Sequence, residues 1–510
     1  MNSSPALQFG TAGIRGRMGP GADEINPTTV TRVAAGVAAY LGSGSVVIGY
    51  DGRRDSDTFA RLMATALAAD GLQPRLLPRA LPTPVLAASI RSLGCVAGLM
   101  VTASHNPAAD NGIKVYLGDG IQIVPPADSQ IAELIASVPP ERRPTVSGDA
   151  DAWIEPEDVV QSYIDRVVAL VERRTRDLRI AHTALHGVGW EVFSAVMSQA
   201  GFTNLSTVPA QQFPNPDFPT TPFPNPELAG VLDQLLAHAD AVQADLAIAH
   251  DPDADRCAAA VRDHDGTLVV LSGDELGAIL GWWVMERMQE GTWPHGGLAT
   301  SIVSATLLEE MAQAAGLPHQ RTLTGFKWIA RVPGLAFGYE EALGYCLAPD
   351  IALDKDGISA ALILAEACSH LRSQKRTAVD VLDDLAAIHG RHITGQRTVR
   401  ADRHTIAAAM ESLRLHPPAV IGGSRVTSVT DYLRGTVGMP PTDLIGIEAE
   451  DLRLMIRPSG TEPLLKCYAE AVVRHAGPRL QQQQSGRDLV AAVLDEAVDR
   501  VMTALEGTVR

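Results

Sequence analysis

Short apolar runs that end in a polar loop and lead into a helical stretch recur along this chain. That alternation restricts it to layered α/β folds with mostly parallel sheets. Ser45 to Tyr50 (SVVIGY) reads as a buried strand, Asp51-Gly52-Arg53-Arg54 as its loop, and Thr58 to Asp70 as the helix that follows. Cys95 to Thr102, Arg179 to Leu185 and Asp245 to Ala249 repeat the apolar-run-then-loop pattern. In such folds ligands bind beyond the carboxyl ends of the strands, so these loops are where function is expected. Proline-rich Val138 to Pro144 marks a joint. Phe213 to Pro226 (FPNPDFPTTPFPNP) carries too much proline for a helix or strand interior and is expected to be an ordered surface loop. Towards the end, helices are expected over 356–372 and 377–389 and strands over 452–456 and 464–471. A last amphipathic helix is expected from about 487 to 505, preceded by a flexible turn at Gln481 to Gln484.

The 510 residues allow three to four domains, each long enough for its own core. The longest uncharged run near the start, Val33 to Tyr50, is broken by Gly42-Ser43-Gly44-Ser45 and reads as helix, turn and strand, not as a membrane span. Five scattered cysteines with no CxxC pair argue against a zinc ribbon or disulfide framework. With no signal-peptide pattern, they point to a reducing cytoplasm. A net charge of −17 opposes binding to nucleic acid or an anionic membrane. It also means that any phosphate-bearing substrate must be held by local cations and backbone amides. Only five of the 42 basic residues are lysine (Lys114, Lys327, Lys355, Lys375, Lys466). Lysine can give up a proton where arginine cannot, so lysines beside motifs are candidates for titration during a reaction.

Four motifs carry candidate chemistry. Thr102-Ala103-Ser104-His105-Asn106-Pro107 ends an apolar run. Serine beside histidine suggests nucleophilic or phosphoryl chemistry, and a polar turn closed by Pro107 is the alternative. The hydrolase elbow is excluded, because the places of its flanking glycines hold Thr102 and Asn106. Asp251-Pro252-Asp253-Ala254-Asp255-Arg256 sets carboxylates at every second position. In an extended loop these point one way and suit a hard divalent cation. An EF-hand is excluded, since its glycine and last carboxylate positions hold Arg256 and Arg262. Arg457-Pro458-Ser459-Gly460-Thr461-Glu462-Pro463, between two strands, can cradle a phosphate or be a tight turn. Glu340 and Glu341, in a glycine-flanked segment, can accept hydrogen bonds from sugar hydroxyls or begin an exposed helix. No lysine follows a glycine, so there is no Walker A loop. Asp263-His264-Asp265-Gly266-Thr267 spells the nucleophile motif of haloacid-dehalogenase phosphatases, but apolar runs on both sides make it read as a hairpin turn.

In this order and spacing the four motifs resemble the α-D-phosphohexomutase superfamily over nearly the whole chain. The resemblance begins at Phe9-Gly10-Thr11-Ala12-Gly13-Ile14-Arg15-Gly16. Thr324-Gly325-Phe326-Lys327-Trp328-Ile329 and the Glu340-Glu341 loop look like the branch that holds phosphoglucomutase-2, phosphopentomutase and many bacterial phosphoglucomutases and phosphomannomutases. The resemblance implies four domains around a central cleft: three related α/β domains with mixed sheets and a smaller C-terminal α+β domain. The expected boundaries are 1–148, 149–262, 263–390 and 391–510. It implies that Ser104 carries a phosphoryl group and, with Asp251, Asp253 and Asp255, holds one Mg²⁺ per active site. Lys114 is implied as general acid/base, with His105 and Arg15 nearby. Arg256, Gly325, Lys327, Glu340, Glu341, Arg457, Ser459, Gly460 and Thr461 are implied in substrate binding.

The implied reaction interconverts hexose 1-phosphate and hexose 6-phosphate of glucose or mannose. It runs through phosphoserine and a bound hexose 1,6-bisphosphate that also serves as primer. The C-terminal domain is expected to act as a hinged lid. Phosphopentomutase or sugar-bisphosphate synthase activity is the alternative within the superfamily. A haloacid-dehalogenase-type phosphatase and a non-catalytic sugar-phosphate binder are more distant ones. The expected partners are small phosphosugars, with no nucleic acid and no membrane, and the enzyme is expected as a cytoplasmic monomer or homodimer.

Overall fold

A computed structural model describes residues 13–142, 150–172, 176–436, 438–459 and 463–508. The chain divides into two compact units. One holds residues 1–297 and 325–378, the other 298–324 and 379–510.

In the first unit, β1 (Ile14–Arg17), β2 (Ser45–Tyr50), β3 (Gln73–Leu76), β4 (Ala97–Val101) and β5 (Asp110–Leu117) form one sheet in the order β1-β5-β4-β2-β3. Strands β2, β3 and β4 run parallel, and β5 and β1 continue the sheet antiparallel. Helices α1 (Pro27–Leu41), α2 (Ser56–Ala69), α3 (Thr83–Ser92) and α4 (Ala127–Ser137) belong to this layer. Val30, Val33, Val37, Phe59, Met63, Leu67, Ile131 and the strand residues Val46, Ile48, Leu99 and Val115 form one buried cluster. Helix α1 starts where chemistry favours it. The Asn26 side chain accepts the Thr29 N–H, and Pro27 takes the first turn, where no donor is needed.

After α5 (Asp158–Val168), the same succession repeats in β6 (Ile180–Thr183), α6 (Gly189–Gln199), β7 (Leu205–Thr207), α7 (Asp233–Ala241), β8 (Leu246–Ala249), β9 (Ala258–Arg262) and β10 (Leu268–Val270). The sheet order is β10-β9-β8-β6-β7, again three parallel strands followed by antiparallel β9 and β10. The serine loop follows β4 and the aspartate loop follows β8, so the two motifs occupy equivalent places in two copies of one topology. After α8 (Gly273–Gln289) the unit also contains α10 (Phe326–Ile329), antiparallel β13 (Leu335–Glu340) and β14 (Gly344–Cys346), and α11 (Gly357–Ser373).

The second unit contains β11 (Gly297–Ser301), which enters it at Leu298, then α9 (Leu307–Ala314) and β12 (His319–Thr322), with β11 and β12 parallel. α12 (Ala378–His389) leads into β15 (Arg391–Arg400), α13 (Arg403–Leu415), β16 (Val420–Ile421), β17 (Ser424–Asp431), β18 (Ile445–Ala449), β19 (Leu452–Pro458), β20 (Leu464–Val473) and α14 (Arg479–Thr508). These strands make an antiparallel sheet in the order β15-β20-β19-β18-β17-β16, and α13 and α14 close its core with Ile406, Met410, Leu413, Val493, Leu494 and Ala497.

The expected strands and helices fall within a few residues of these elements. One differs. Gln481 to Gln484 is not a turn but part of the first turns of α14. Glutamine is a good helix former, and nothing in the run breaks a helix. Among the described residues no helix is long and apolar enough to cross a membrane. The expected surface loop at 213–226 contains neither helix nor strand. Asp263 to Thr267 turns between antiparallel β9 and β10, with the Asp263 N–H donating to Thr267 O at 2.9 Å and Gly266 at φ 86°.

Candidate active site

Ser104 lies just past the end of β4, buried, with φ 53°. A serine in the left-handed region is strained and must be held there by its neighbours. The hold begins at Asp51, after β2. Its Oδ2 accepts the Thr102 hydroxyl at 2.7 Å, and the Thr102 Oγ1 in turn accepts the Ser104 N–H at 2.7 Å. The Ser104 hydroxyl donates to Asp251 Oδ2 at 2.8 Å, and His105 Nδ1 is 3.2 Å away from it. The serine loop and the aspartate loop, 147 residues apart, therefore meet at the nucleophile itself.

Asp251, Asp253 and Asp255 converge, each offering a ligand oxygen within 4.8 Å of the others, and all three are buried. They do so by a different route from the one expected. The loop is not extended. The Ala254 N–H closes back on Asp251 O at 2.8 Å with Ala254 at φ 53°, and the turn gathers the carboxylates. α11 leaves no room behind the loop, since a Cβ at Gly357 would come within 2.2 Å of Arg256 O.

Lys114, in the middle of β5 and fully buried, donates to Asp253 Oδ2 at 2.6 Å and to Asp255 Oδ2 at 2.5 Å. Thr83, at the start of α3, donates its hydroxyl to the same Asp253 Oδ2 at 2.7 Å. Asp253 Oδ1 and Asp255 Oδ1 are buried with no hydrogen-bond partner. Orphaned carboxylate oxygens in a dry, convergent set are costly unless a cation takes them, so the residues present fit a hard divalent metal.

The electrostatics follow from burial and these contacts. Burial pushes the Asp251 carboxyl well up, and the charges of Asp253 and Asp255 push it further. Burial opposes ionisation of Asp253 and Asp255 too, but Lys114 outweighs it and both stay below the usual carboxylate range. Burial would lower the Lys114 amine, yet the two aspartates raise it, so it stays protonated in this arrangement. Burial and the nearby charges of Arg256 and Arg15 hold His105 well below its ordinary value, so its ring is neutral. Burial also lowers Arg15, whose Nη1 donates to Asn106 Oδ1 at 3.3 Å.

Arg256 donates its backbone N–H to Asp251 Oδ1 at 3.1 Å and its Nη1 to Glu227 Oε2 at 2.8 Å. Glu340 and Glu341 do not begin a helix. They end β13 and start its turn into β14. Glu340 is buried, and this pushes its carboxyl up to about 7 against the pull of Lys355, 4.0 Å away. Gly325, at φ 109°, is the residue just before α10, and Lys327 follows half-buried in it, its amine lowered by burial. Arg457 and Ser459 belong to the other unit, on β19 and just after it, where the Ser459 N–H donates to Leu464 O at 2.8 Å. Gly460 and Thr461 lie outside the described residues, as do Phe9 to Ala12 of the N-terminal signature.

The family models for phosphoglucomutase/phosphomannomutase match in sequence: α/β/α domain I over residues 6–141, domain II over 161–266, domain III over 272–388 and the C-terminal domain over 410–483. The chain belongs to the phosphoglucomutase/phosphomannomutase family. It is 41% identical over 487 residues to a probable phosphomannomutase of Haemophilus influenzae, covering 94% of this chain and 98% of that protein. It is 33% identical to human phosphopentomutase, over 91% of this chain and 84% of that one. A crystal structure of a putative phosphomannomutase from Thermus thermophilus shares its fold, with a TM-score of 0.77 at 23% identity over 98% and 100% of the two chains. As a member of this family the protein is a phosphosugar mutase, an intramolecular phosphotransferase classed among the isomerases.

Two contacts at the site carry no mark in the sequence, and a third carries only one. Thr83 is an ordinary residue at a helix start, and Glu227 sits at the end of the proline-rich loop. Lys355, whose Nζ lies 3.4 Å from Asp255 Oδ2 and 5.7 Å from the centre of the Phe326 ring, had one signal, the scarcity of lysine in this chain.

Proposed function

We propose that the protein interconverts hexose 1-phosphate and hexose 6-phosphate, of glucose, mannose or both, through phosphorylated Ser104 and a bound hexose 1,6-bisphosphate. The observation that carries this reading is the Ser104 hydroxyl bonded to Asp251 inside a buried, convergent set of three carboxylates. In the first transfer the bond from Ser104 Oγ to phosphorus breaks and one from a sugar hydroxyl forms. The hydroxyl proton leaves to a base, and Ser104 Oγ takes one up. Protonated Lys114 and neutral His105 supply a donor and an acceptor for these two events. In the second transfer the other phosphate returns to Ser104, with the proton movements reversed.

Asp251, Asp253 and Asp255, with a phosphate oxygen on Ser104, would hold Mg²⁺, which when bound neutralises charge on the moving phosphoryl group. Arg15 and Arg256 orient phosphate, and Gly325, Lys327, Glu340 and Glu341 meet the sugar. Resemblance assigns Arg457, Ser459, Gly460 and Thr461 to the phosphate that stays in place. The five free cysteines support a cytoplasmic enzyme, and we take it to act as a monomer or homodimer on small phosphosugars.

The test compares kcat/KM for glucose 1-phosphate, mannose 1-phosphate and ribose 1-phosphate with Mg²⁺ and a trace of sugar bisphosphate, in the wild type and in Ser104→Ala. Hexose turnover that vanishes in Ser104→Ala upholds the reading, and the glucose-to-mannose ratio names the sugar. Turnover of the pentose alone, or full activity without Ser104, overturns it.

A further inference from the structure

Arg53 is buried in the loop after β2, and its guanidinium is enclosed by the main chain of the serine loop. Nη2 donates to Ser104 O and Asn106 O, both at 2.5 Å. Nη1 donates to Pro107 O at 2.8 Å and Asp110 O at 3.1 Å. Nε lies 3.4 Å from Asp51 Oδ2, and the Phe218 ring of the proline-rich loop covers the cation with its centre 4.9 Å away. Asp51 also accepts the Arg53 N–H at 3.0 Å and the Ser56 hydroxyl at 2.8 Å, besides the Thr102 hydroxyl that receives the Ser104 N–H. Both sides of the Ser104 peptide thus end on one ion pair: the N–H through Thr102 on Asp51, and the carbonyl directly on Arg53.

Residues 104–109 lie between β4 and β5, outside any strand ladder, and Pro107 has no N–H to give. Pro107 O also takes the Asp110 N–H at 3.1 Å and Ala109 O the Met18 N–H at 2.8 Å, but the Ser104 and Asn106 carbonyls need a donor from outside the backbone. A planar fork of N–H groups can serve four carbonyls at once, which a lysine ammonium cannot do in the same geometry. The arrangement holds Ser104 at φ 53°, the conformation in which its hydroxyl reaches Asp251.

We propose that Arg53 is a positioning residue for phosphoryl transfer, fixing the attack geometry of Ser104 through the loop carbonyls without touching the substrate. This rests on the reading that Ser104 carries the phosphoryl group. A serine oxygen displaced by about 1 Å loses on the order of a hundredfold in rate while substrate binding elsewhere in the site is kept.

The experiment measures kcat and KM for glucose 1-phosphate, and by mass spectrometry the rate at which glucose 1,6-bisphosphate phosphorylates Ser104. It uses the wild type, Arg53→Ala, Arg53→Lys and Ser104→Ala, with thermal melting of each. The expected result for Arg53→Ala is a kcat and a phosphorylation rate about a hundredfold lower, with KM within about threefold. Added guanidinium chloride at millimolar concentration should restore part of that rate in Arg53→Ala and none in Arg53→Lys, where the ammonium occupies the space. Unchanged kcat in a folded Arg53→Ala overturns the proposal, as does a loss that falls on KM alone or one that guanidinium leaves untouched. If Arg53→Ala does not fold, the kcat-against-KM split in Arg53→Lys decides. Full activity in Ser104→Ala would instead remove the phosphoserine reading beneath it.

Discussion

The Ser104 hydroxyl donates to Asp251 Oδ2 at 2.8 Å, so the nucleophile is bonded to a member of the carboxylate set before it carries any phosphate. Phosphorylation converts that contact. The donor becomes a group with charge near −1.5 to −2 and three acceptor oxygens, and it can no longer satisfy Asp251 except through a shared cation. Divalent cation affinity is therefore expected to be on the order of tenfold higher in the phosphorylated enzyme than in the dephosphorylated one. Calorimetric titration of Mg²⁺ or Mn²⁺ into the two forms checks this. Equal affinities would mean that the serine phosphate takes no part in the cation site.

Lys114 supplies the positive charge that keeps Asp253 and Asp255 ionised in a dry site. Replacing it by methionine leaves two buried carboxylates without their cation, a loss of roughly 3–5 kcal/mol for a broken buried pair. A divalent metal can take over that neutralising role. Mg²⁺ should therefore raise the melting temperature of Lys114→Met more than that of the wild type, while kcat falls by about 10²–10⁴ through loss of the proton donor. A metal-induced shift no larger than in the wild type would contradict the shared-charge account.

Glu340 gives a pH dependence whose sign can be worked out. Burial raises its folded value to about 7, above the ordinary 4.5. The folded chain then holds a proton that the unfolded chain has lost, so this group's contribution is fully present below pH 4.5 and is lost as pH rises through about 7. The size is roughly 3 kcal/mol. Glu340→Gln, which never ionises, should melt higher than the wild type at pH 8 and about equally at about pH 4. If the carboxylate form receives the sugar hydroxyls, wild-type kcat/KM rises through about pH 7 and the variant's profile flattens there.

The site divides by how far apart its partners lie. Ser104 and the three aspartates are legible because each motif is complete within one loop at the end of an apolar run, and strand periodicity marks both places. The way the aspartates converge is not legible, because the left-handed Ala254 that bends the loop has no special residue type to announce it. Thr83 reaches Asp253 across 170 residues and Arg53 reaches the Ser104 carbonyl across 51, and no local pattern encodes either pairing. The serine and aspartate motifs both follow the same parallel strand of two similar sheets, a relation of topology that single residues do not display.

In the second unit, Glu470 on β20 is the centre of a buried polar network that its sequence context does not hint at. It accepts from Arg453 Nε at 3.0 Å and from the Thr306 N–H at 2.7 Å, and its Oε1 lies 2.8 Å from His392 Nδ1. Arg453 in turn donates to Ile302 O at 2.8 Å and to Ser304 O. Burial alone would raise the Glu470 carboxyl, but Arg453 and His392 outweigh it and hold it at about 2. With the folded value below the unfolded 4.5, the stabilisation is present above pH 4.5 and is lost as pH falls through about 2. Glu470→Gln keeps the shape but not the charge and strands Arg453 in a buried place, so a loss of roughly 3–5 kcal/mol is expected at pH 7. The difference should shrink between pH 4.5 and 2, as the wild type loses the same charge by protonation. Denaturant unfolding of the two proteins at pH 7, 4 and 3, followed by a probe in this unit, measures it. A gap that stays constant with pH would assign the stabilisation to packing and neutral hydrogen bonds, not to the charge on Glu470.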